Sequence, residues 1–303
     1  MRCNRLINCI PTILLFQDMQ ILDSPASLRD ACRNWRKAGE TVALVPTMGY
    51  YHAGHEDLIR HARGLADRLV VSLFVNPAQF GPDEDLDAYP RDPERDAAIA
   101  ARLGADILFM PAPEAMYRPE HGTWVEAPEL GRSLCGRSRP IHFRGVCTIV
   151  LKLFMLTQAD FAVFGQKDWQ QQAIIRAMAL DLNLDTQIVT RPTTREPDGL
   201  AMSSRNVYLK PEERAQAPQI RKALLEAASA CRNGETDCAR LRADTLAFWQ
   251  ENLPLGEVDY LEIVHPETLK PLETIAGPAL MACAVKVGKA RLIDNILLTD
   301  KGA

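Results

Sequence analysis

Short apolar runs alternate with helix-like stretches through the first two thirds of the chain. The runs are nearly continuous in apolar character, which is typical of parallel strands covered on both faces. They are TVALV (41–45), LVVSLFV (69–75), ADILFM (105–110), DFAVF (160–164) and TQIVT (186–190). The intervening patterns predict helices over 54–67, 93–103, 145–157 and 168–182. This alternation predicts a doubly wound α/β domain with its ligand site at the carboxyl ends of the strands.

The pattern changes near residue 191. A polar segment rich in turn formers (191–206) comes first, and two helical stretches follow at about 211–232 and 236–252. Three strand-like runs close the chain: VDYLEIV (258–264), ALMACAVKV (279–287) and RLIDNILL (291–298). We therefore predict an N-terminal tail (1–18), an α/β domain (19–191) and a smaller α+β C-terminal domain (192–303).

The first twenty residues have a short apolar stretch that Pro11 interrupts. A bilayer span needs about 20 apolar residues, so this stretch is too short to cross a membrane. A weak signal peptide is one interpretation. An extra tail produced by a start assigned too far upstream of Met19 is the interpretation we favour.

Composition narrows the functional class. The chain has 303 residues, 47% of them hydrophobic, and a formal net charge of −4, so no overall basic field favours nucleic acid or an anionic membrane. Its eight cysteines form no CxxC pair. Reduced thiols in a cytoplasmic protein are the simplest interpretation.

The segment PTMGYYHAGH (46–55) carries two histidines where a strand gives way to a helix. A helix N-terminus binds phosphate well, and His52 and His55 add hydrogen-bond donors there. Gly54 lets a ligand approach the backbone. A zinc site is an alternative, although the spacing differs from the zincin motif and no third ligand is recognisable. Two solvated loop histidines are the other alternative.

Polar side chains also follow two other predicted strands. Asn76 and Gln79 are candidate substrate-orienting amides, although Asn76 also suits a capped turn. In FAVFGQKDWQQQ (161–172), Asp168 is predicted to cap a helix and Lys167 to offer a charge to phosphate. Gln171 lies one turn further on. Solvent exposure of Lys167 is the alternative.

Two polar loops complete the candidate set. In REPDGLAMSSRN (195–206), the hydroxyls of Ser203 and Ser204 precede Arg205, a combination that suits a phosphate-binding lid. RSRPIHFRGV (137–146) contributes a local excess of positive charge from Arg137, Arg139, His142 and Arg144. Ordinary linker and surface roles are the alternatives. Tyr89 is either a lid residue or a packing residue.

Five of these motifs occur together and in order: PTMGYYHAGH, FVNPAQF, HFRGV, FGQKDWQQ and DGLAMSSRN. In this respect the chain resembles the pantoate–β-alanine ligase (pantothenate synthetase) family of the HxGH nucleotidyltransferase superfamily, over about residues 19–300. The resemblance implies a Rossmann-like first domain and a cytoplasmic homodimer. It also implies a two-step reaction in which ATP and pantoate, with Mg²⁺, give pantoyl adenylate, which β-alanine then converts to pantothenate and AMP.

The resemblance assigns roles to particular residues. It implies an ATP site formed by Pro46, Thr47, Met48, Gly49, Tyr50, Tyr51, His52, Ala53, Gly54, His55, Arg139, Gly165, Gln166, Lys167, Asp168, Thr194, Met202, Ser203, Ser204 and Arg205. Within it, catalytic roles fall on His52, His55, Lys167, Ser203, Ser204 and Arg205, with His55 at the usual proton-donor position. Pantoate and β-alanine are assigned to Gln79, Gln171, Asn76 and Tyr89. Mg²⁺ is expected to bind through the ATP phosphates, with no protein ligand assigned.

Three features depart from the usual family pattern. Ala53 and Gln166 stand where acidic residues are common, and Tyr50-Tyr51 is bulkier than usual, which suggests an altered pocket mouth. A related HxGH nucleotidyltransferase with a different acceptor is the alternative function. A nucleotide-binding protein without turnover is a further alternative, against which the retained His52, His55, Lys167 and Arg205 argue.

Overall fold

A six-stranded parallel sheet forms the centre of the first part of the chain in the computed structural model, which describes residues 19–82 and 84–299. Its strands are β1 (Gln20–Leu22), β2 (Val42–Thr47), β3 (Arg68–Leu73), β4 (Ile107–Phe109), β5 (Phe161–Gly165) and β6 (Gln187–Arg191). They lie in the order β1-β4-β3-β2-β5-β6, and all neighbours are parallel. The five predicted strands are confirmed, whereas β1 was not predicted.

The strand order fixes where a ligand site belongs. From β2 the chain proceeds to one side of the sheet through β3 and β4, and later to the other side through β5 and β6. The switch point therefore lies between β2 and β5. In open α/β sheets, ligands bind in the crevice outside the carboxyl ends of the strands at such a point.

Helices cover both faces of the sheet. They are α1 (Pro25–Lys37), α2 (Ala53–Arg63), α3 (Pro93–Arg102), α4 (Pro113–Met116), α5 (Pro128–Gly131), α6 (Cys135–Ser138), α7 (His142–Thr157) and α8 (Trp169–Asp181). Short 3-10 turns lie at Pro77–Gln79, Gln166–Asp168 and Ser204–Tyr208. The four predicted helices are present with shifted ends: α2 stops at Gly64, which forms its C-cap, and α7 begins three residues early, at His142 rather than 145.

Gly145 lets α7 pack closely against the turn at Pro77–Gln79. A Cβ at residue 145 would lie 2.3 Å from the carbonyl oxygen of Ala78, so only glycine fits without displacing the backbone. The Asn76 side chain also donates a hydrogen bond to the Gly145 carbonyl at 3.1 Å. This contact fixes the loop after β3 at the sheet's carboxyl edge.

The second part of the chain combines three helices with a small antiparallel sheet. The elements are α9 (Pro211–Gln216), α10 (Gln219–Arg232), α11 (Cys238–Asn252), β7 (Gly256–Val264), β8 (Leu280–Val287) and β9 (Ala290–Leu297). The strands pair in the order β7-β8-β9, which confirms the three predicted strands. The prediction of one continuous helix over 211–232 is wrong: Pro218 has no N–H for the intrahelical ladder, and the helix breaks there.

The small sheet is buried on both faces. Alternate residues such as Leu261, Met281 and Cys283 pack with α10 and α11. Tyr260 and Ala282, on the other face, join the hydrophobic core of the first part. The two parts thus share a core, and the predicted boundary between 191 and 192 stays a prediction.

One structural finding bears on membranes. Within residues 19–82 and 84–299, no helix is long and apolar enough to cross a bilayer. The predicted tail (1–18) lies outside the described residues.

Candidate active site

A cavity of about 230 Å³ lies at the switch point between β2 and β5. Of the predicted site residues, it is lined by Pro46, Thr47, Met48, His52, Gly54, His55, Asn76, Gln79, Tyr89, Arg139, Gly165, Lys167, Asp168, Gln171, Thr194, Met202, Ser203, Ser204 and Arg205. A second cavity, of about 450 Å³, shares Lys167, Arg205 and several neighbours with it and extends to β9. The five separated motifs therefore converge on one cleft.

His52 and His55 form the first turn of α2. His52 is the N-cap residue, and its Nδ1 accepts the Gly54 backbone N–H at 3.1 Å. The Nδ1 of His55 accepts the His52 backbone N–H at 3.4 Å, which completes a capping box built from two imidazoles. Because each Nδ1 is an acceptor, the neutral rings carry their proton on Nε2.

Both imidazoles are neutral in this environment. Burial, and secondarily Lys167 and Arg95, lower the pKa of His52 to about 4. Burial, with His52 and Lys167 nearby, lowers the pKa of His55 well below its usual value. At neutral pH the pair can donate hydrogen bonds from Nε2 but carries no positive charge.

Gly54 is required by the His52 ring. A Cβ at residue 54 would lie 2.9 Å from both Cε1 and Nδ1 of His52. A side chain at this position would push the imidazole away from the backbone N–H that orients it. The glycine between the histidines thus sets the orientation of the first of them.

Lys167 and Asp168 lie in the turn that links β5 to α8. Two backbone carbonyls of this turn, those of Gln166 and Lys167, accept hydrogen bonds from Asn295 Nδ2 at 3.0 and 2.9 Å. Burial lowers the pKa of the Lys167 ammonium; Asp168 raises it and Arg205 lowers it. A partly buried ammonium between these groups is a strong binding group for an incoming anion.

The prediction that Asp168 caps α8 is wrong. Asp168 occupies the N-cap position, but its side chain makes no capping hydrogen bond. Its ψ of 56° departs from the extended conformation of most N-caps. The side chain instead lines both cavities.

The candidate amides differ in how many of their side-chain hydrogen-bonding groups already have a partner within the protein. Asn76 is 1% exposed, donates to Gln79 and Gly145, and accepts from Ala78 and Tyr117, so its hydrogen-bonding capacity is filled. It braces Gln79, whose Nε2 lies 3.1 Å from the Met48 sulfur.

Two neighbouring glutamines of α8 have different roles. The Gln170 side chain donates hydrogen bonds to the carbonyls of Leu130 and Ser133 and accepts one from the Cys135 N–H. Gln171 lines both cavities and has no side-chain hydrogen bond within the part of the chain that the structure describes. Among the candidate amides, Gln171 thus retains its full hydrogen-bonding capacity for a ligand.

A short hairpin presents Ser203 to Arg205 at the cavity. The Met202 N–H donates to the Thr194 carbonyl at 3.0 Å. Arg195 binds the carboxylate of Asp294 in β9 through two nitrogens, at 2.8 and 2.9 Å. The Ser204 hydroxyl contacts the Tyr89 hydroxyl at 3.1 Å, so Tyr89, which is 5% exposed, packs against the hairpin as well as lining the cavity.

Two acidic residues that sequence reasoning missed hold the site's arginines. Glu84 accepts from Arg139 Nε at 2.8 Å. Asp85 accepts from Arg205 Nε and Nη2 at 2.9 and 2.8 Å. Burial of Asp85 opposes its ionisation, but the Arg205 hydrogen bonds and charge outweigh burial and lower the pKa of this carboxyl. The only sequence signal for these two pairs is that Glu84 and Asp85 lie in an acidic loop.

Five residues of the predicted ATP site do not line this cavity: Gly49, Tyr50, Tyr51, Ala53 and Gln166. Tyr51 is 1% exposed and packs in the core, while Gly49 and Tyr50 line a separate cavity beside α3. The expectation that Tyr50-Tyr51 alters the pocket mouth is therefore wrong for Tyr51, because its ring points into the protein. The Gln166 backbone still contributes, through its carbonyl bond to Asn295.

The zinc alternative finds no support in the described residues. Across 19–82 and 84–299, no group of three histidine, cysteine or acidic side chains is placed to hold a metal ion. The remaining nitrogen of each imidazole is Nε2, which carries the proton. The pair is therefore arranged as hydrogen-bond donors.

Comparison with known proteins identifies the family of the chain. The family described as Pantoate-beta-alanine ligase matches residues 20–297. A pantothenate synthetase from Desulfovibrio desulfuricans is 69% identical over 280 residues, which cover 92% of this chain and 99% of that protein. The crystal structure of pantothenate synthetase from Thermus thermophilus superposes with a TM-score of 0.87 at 43% identity, covering 93% of this chain and 100% of that one.

A ligand complex is also among the similar structures. Pantoate-beta-alanine ligase from Francisella tularensis, crystallised with β,γ-ATP and β-alanine, superposes with a TM-score of 0.77 at 30% identity and covers 94% of this chain and 100% of its own. The resemblance inferred from the five motifs is confirmed. The chain belongs to the pantoate–β-alanine ligase family.

Proposed function

We propose that this protein condenses pantoate with β-alanine to give pantothenate, using ATP and passing through pantoyl adenylate. One observation carries the proposal. Two neutral imidazoles at the start of α2, the Lys167 ammonium and the Arg205 guanidinium line a single cavity at the switch point of the sheet. Membership of the ligase family supports the choice of reaction.

In the first step, a pantoate carboxylate oxygen attacks the α-phosphorus of ATP and pyrophosphate leaves. The chemistry needs alignment of the reactants and neutralisation of charge on the leaving group. Lys167 and Arg205 supply positive charge, and the Nε2–H groups of His52 and His55 donate hydrogen bonds to phosphate oxygens. The amino end of α2 adds its dipole.

Pantoate is assigned to Gln79 and Gln171. The free amide of Gln171 and the braced amide of Gln79 line the cavity together. In the second step, the amine of β-alanine attacks the acyl carbon of the adenylate, and the bond to the AMP oxygen breaks. Asn76 acts in this scheme as a brace for Gln79, because its own hydrogen bonds are filled.

The cleft contains a carboxylate suited to binding Mg²⁺. This ion prefers oxygen ligands and is usually held by one or two carboxylates together with substrate phosphates. Asp168 lines both cavities and makes no side-chain hydrogen bond within residues 19–82 and 84–299. It is the side chain we assign to the ion or its water shell, and the ion would neutralise phosphate charge.

We further propose that the protein is a cytoplasmic homodimer. The resemblance to the family supports both statements. Six cysteines in the described ranges are unpaired, as in a reducing compartment. Sedimentation velocity of the purified chain tests the oligomeric state.

Isotope transfer tests the reaction. With pantoate labelled by ¹⁸O in its carboxylate, one labelled oxygen should appear in AMP, and AMP should equal pantothenate. Formation of ADP and phosphate instead would contradict the adenylate route. Without β-alanine, pyrophosphate should still be released, and replacing pantoate with other carboxylates tests a different acceptor.

A further inference from the structure

A buried carboxylate supports the loop that carries the histidines. Asp96 lies in α3 and is 1% exposed. Its Oδ2 accepts the Tyr50 backbone N–H at 2.5 Å, and its Oδ1 accepts the Tyr51 N–H at 2.8 Å. The two oxygens thus bind two consecutive amides just before His52.

The loop needs this support because its backbone is unusual. Gly49 has φ 87° and Tyr50 has φ 52°, so two successive residues lie at positive φ. A bulky side chain is uncommon there and costs conformational energy. The carboxylate offsets that cost by satisfying both amides, which would otherwise be buried without partners.

Arg95, the residue before Asp96 in α3, also binds this loop, through a backbone carbonyl. Arg95 donates from Nη2 to the Tyr51 carbonyl at 3.0 Å, and its guanidinium lies 5.7 Å from the centre of the Tyr50 ring. The first turn of α3 therefore binds both N–H and carbonyl groups of the loop before His52. The next residue along the chain, His52, is the N-cap of α2.

We propose that Asp96 is a positioning residue, which fixes the Gly49–Tyr51 turn and thereby aims the imidazoles of His52 and His55 into the nucleotide cavity. Asp96 does not line that cavity and touches no reacting group. Its effect on activity rests on the proposed ligase function, whereas its effect on the histidine rings does not.

The chemistry of the contact explains why a carboxylate stands there. Two adjacent N–H donors need two acceptor atoms, which a carboxylate provides. An amide of the same shape offers one oxygen and one NH₂ group, which would face an N–H. Asp96→Asn therefore removes one hydrogen bond and introduces a donor–donor contact with little change in volume.

Asp92 provides a matched control. It is the N-cap of α3, where its side chain accepts the Arg95 backbone N–H at 3.2 Å. Asparagine caps helices as well as aspartate does, so Asp92→Asn changes the same atoms on the same helix at little cost. It makes no side-chain hydrogen bond to the loop before His52.

The test compares wild type, Asp96→Asn and Asp92→Asn in pyrophosphate release and in ¹⁵N spectra of labelled histidine. For Asp96→Asn we expect kcat to fall by about 10²-fold, as misplaced catalytic groups typically cause, with KM for pantoate nearly unchanged. The Nδ1 and Nε2 shifts of His52 and His55 should move toward mixed tautomers. Asp92→Asn should match the wild type in both measurements.

A folded Asp96→Asn variant with wild-type kcat and wild-type histidine shifts would overturn the proposal. If that variant fails to fold, amide hydrogen exchange in the wild-type protein decides: slow exchange at Tyr50 and Tyr51 supports the proposal, and exchange as fast as that of exposed loops overturns it. Absence of pyrophosphate release by the wild-type protein rejects the proposed function alone, because the histidine spectra still report the positioning.

Discussion

The rings of His52 and His55 lie 4.1 Å apart, inclined at 34°, and each uses Nδ1 to accept a backbone N–H from the first turn of α2. The helix terminus thus determines which nitrogen of each ring is protonated. It leaves two Nε2–H donors for a ligand while satisfying amides that would otherwise need water. Helix capping and, in the proposed function, ligand binding therefore fall to the same two side chains.

Replacing His55 by alanine should slow adenylation by about 10²-fold or more, because a preorganised donor to the transition state is lost. Pyrophosphate release in the presence of ATP and pantoate measures this step. His61→Ala on the same helix, away from the cavity, serves as the control and should keep the wild-type rate. Equal rates for His55→Ala and wild type would show that this imidazole has no role in adenylation.

Gly54→Ala should reduce activity without loss of the fold. The added methyl group would lie 2.9 Å from the His52 ring, so the ring must move and its bond to the Gly54 N–H weakens. Alanine has a higher helix propensity than glycine, which limits any loss of stability. We expect a fall of about tenfold or more in kcat, consistent with a small misplacement.

The opposite end of the same helix gives the control for Gly54→Ala. A Cβ at Gly64 would lie 3.5 Å from its nearest neighbour, the His61 carbonyl oxygen, which is an ordinary contact. Gly64→Ala should leave kcat unchanged. If both variants lose the same activity, the contact with His52 is not the cause.

Asp85→Asn should strengthen ATP binding. The Asp85 carboxylate occupies Nε and Nη2 of Arg205 and neutralises its charge, so it competes with a phosphate for this guanidinium. Neutralising the acid removes the competition, and we expect KM for ATP to fall several-fold, about 1 kcal/mol. Asp87→Asn, at an exposed position of the same loop, is the control. A rise in KM would show instead that Asp85 orients Arg205 for the nucleotide.

Stability should fall as pH drops from 6.5 toward 4. Burial, and then Arg139, lower the pKa of His142 from 6.5 to about 3, and His52 and His55 are shifted in the same direction. In this window the unfolded chain binds protons that the folded chain does not, so each such histidine favours unfolding by up to about 1.4 kcal/mol per pH unit. Burial raises the pKa of Asp96, so just above pH 3.8 the folded chain keeps a proton that the unfolded chain has lost. This group therefore favours folding as the pH falls in that range.

Denaturant unfolding at several pH values measures this dependence. His142→Asn should lower overall stability, since the Nδ1 contact to the Gln79 carbonyl at 2.9 Å is altered, but it should also flatten the slope by about one proton. A slope equal to that of the wild-type protein would mean that His142 is protonated to the same extent in both states.

The sheet was predictable from sequence because its strands are buried on both faces. Runs such as 41–45 and 69–75 are nearly continuous in apolar residues, and their alternation with helices implies a parallel arrangement. Helix α1 escaped prediction because only Leu28 and Cys32 are buried along its 13 residues, which leaves a narrow apolar stripe. Strand β1 has only three residues, too few for a pattern.

The candidate site was predictable where residues follow a strand directly. Lys167, Gln79 and the histidines lie in the loops or helix starts that follow β5, β3 and β2, so these strands bring them together. The pairs Glu84–Arg139 and Asp85–Arg205 join residues 55 and 120 positions apart, and no local pattern specifies such partners. Asp294 and Asn295 left a signal that was not used: two polar residues at buried positions of an apolar strand.

The bond from Asn295 to the carbonyls of Gln166 and Lys167 has a consequence for synthesis on the ribosome. Residue 295 lies almost 130 positions after the turn that it fixes. A nascent chain that already contains every predicted nucleotide-binding side chain still lacks the amide that orders this turn. The turn at residues 166–168 is therefore supported only after β9 has been synthesised, and a chain truncated before β9 should have its histidines in place but its lysine turn unsupported.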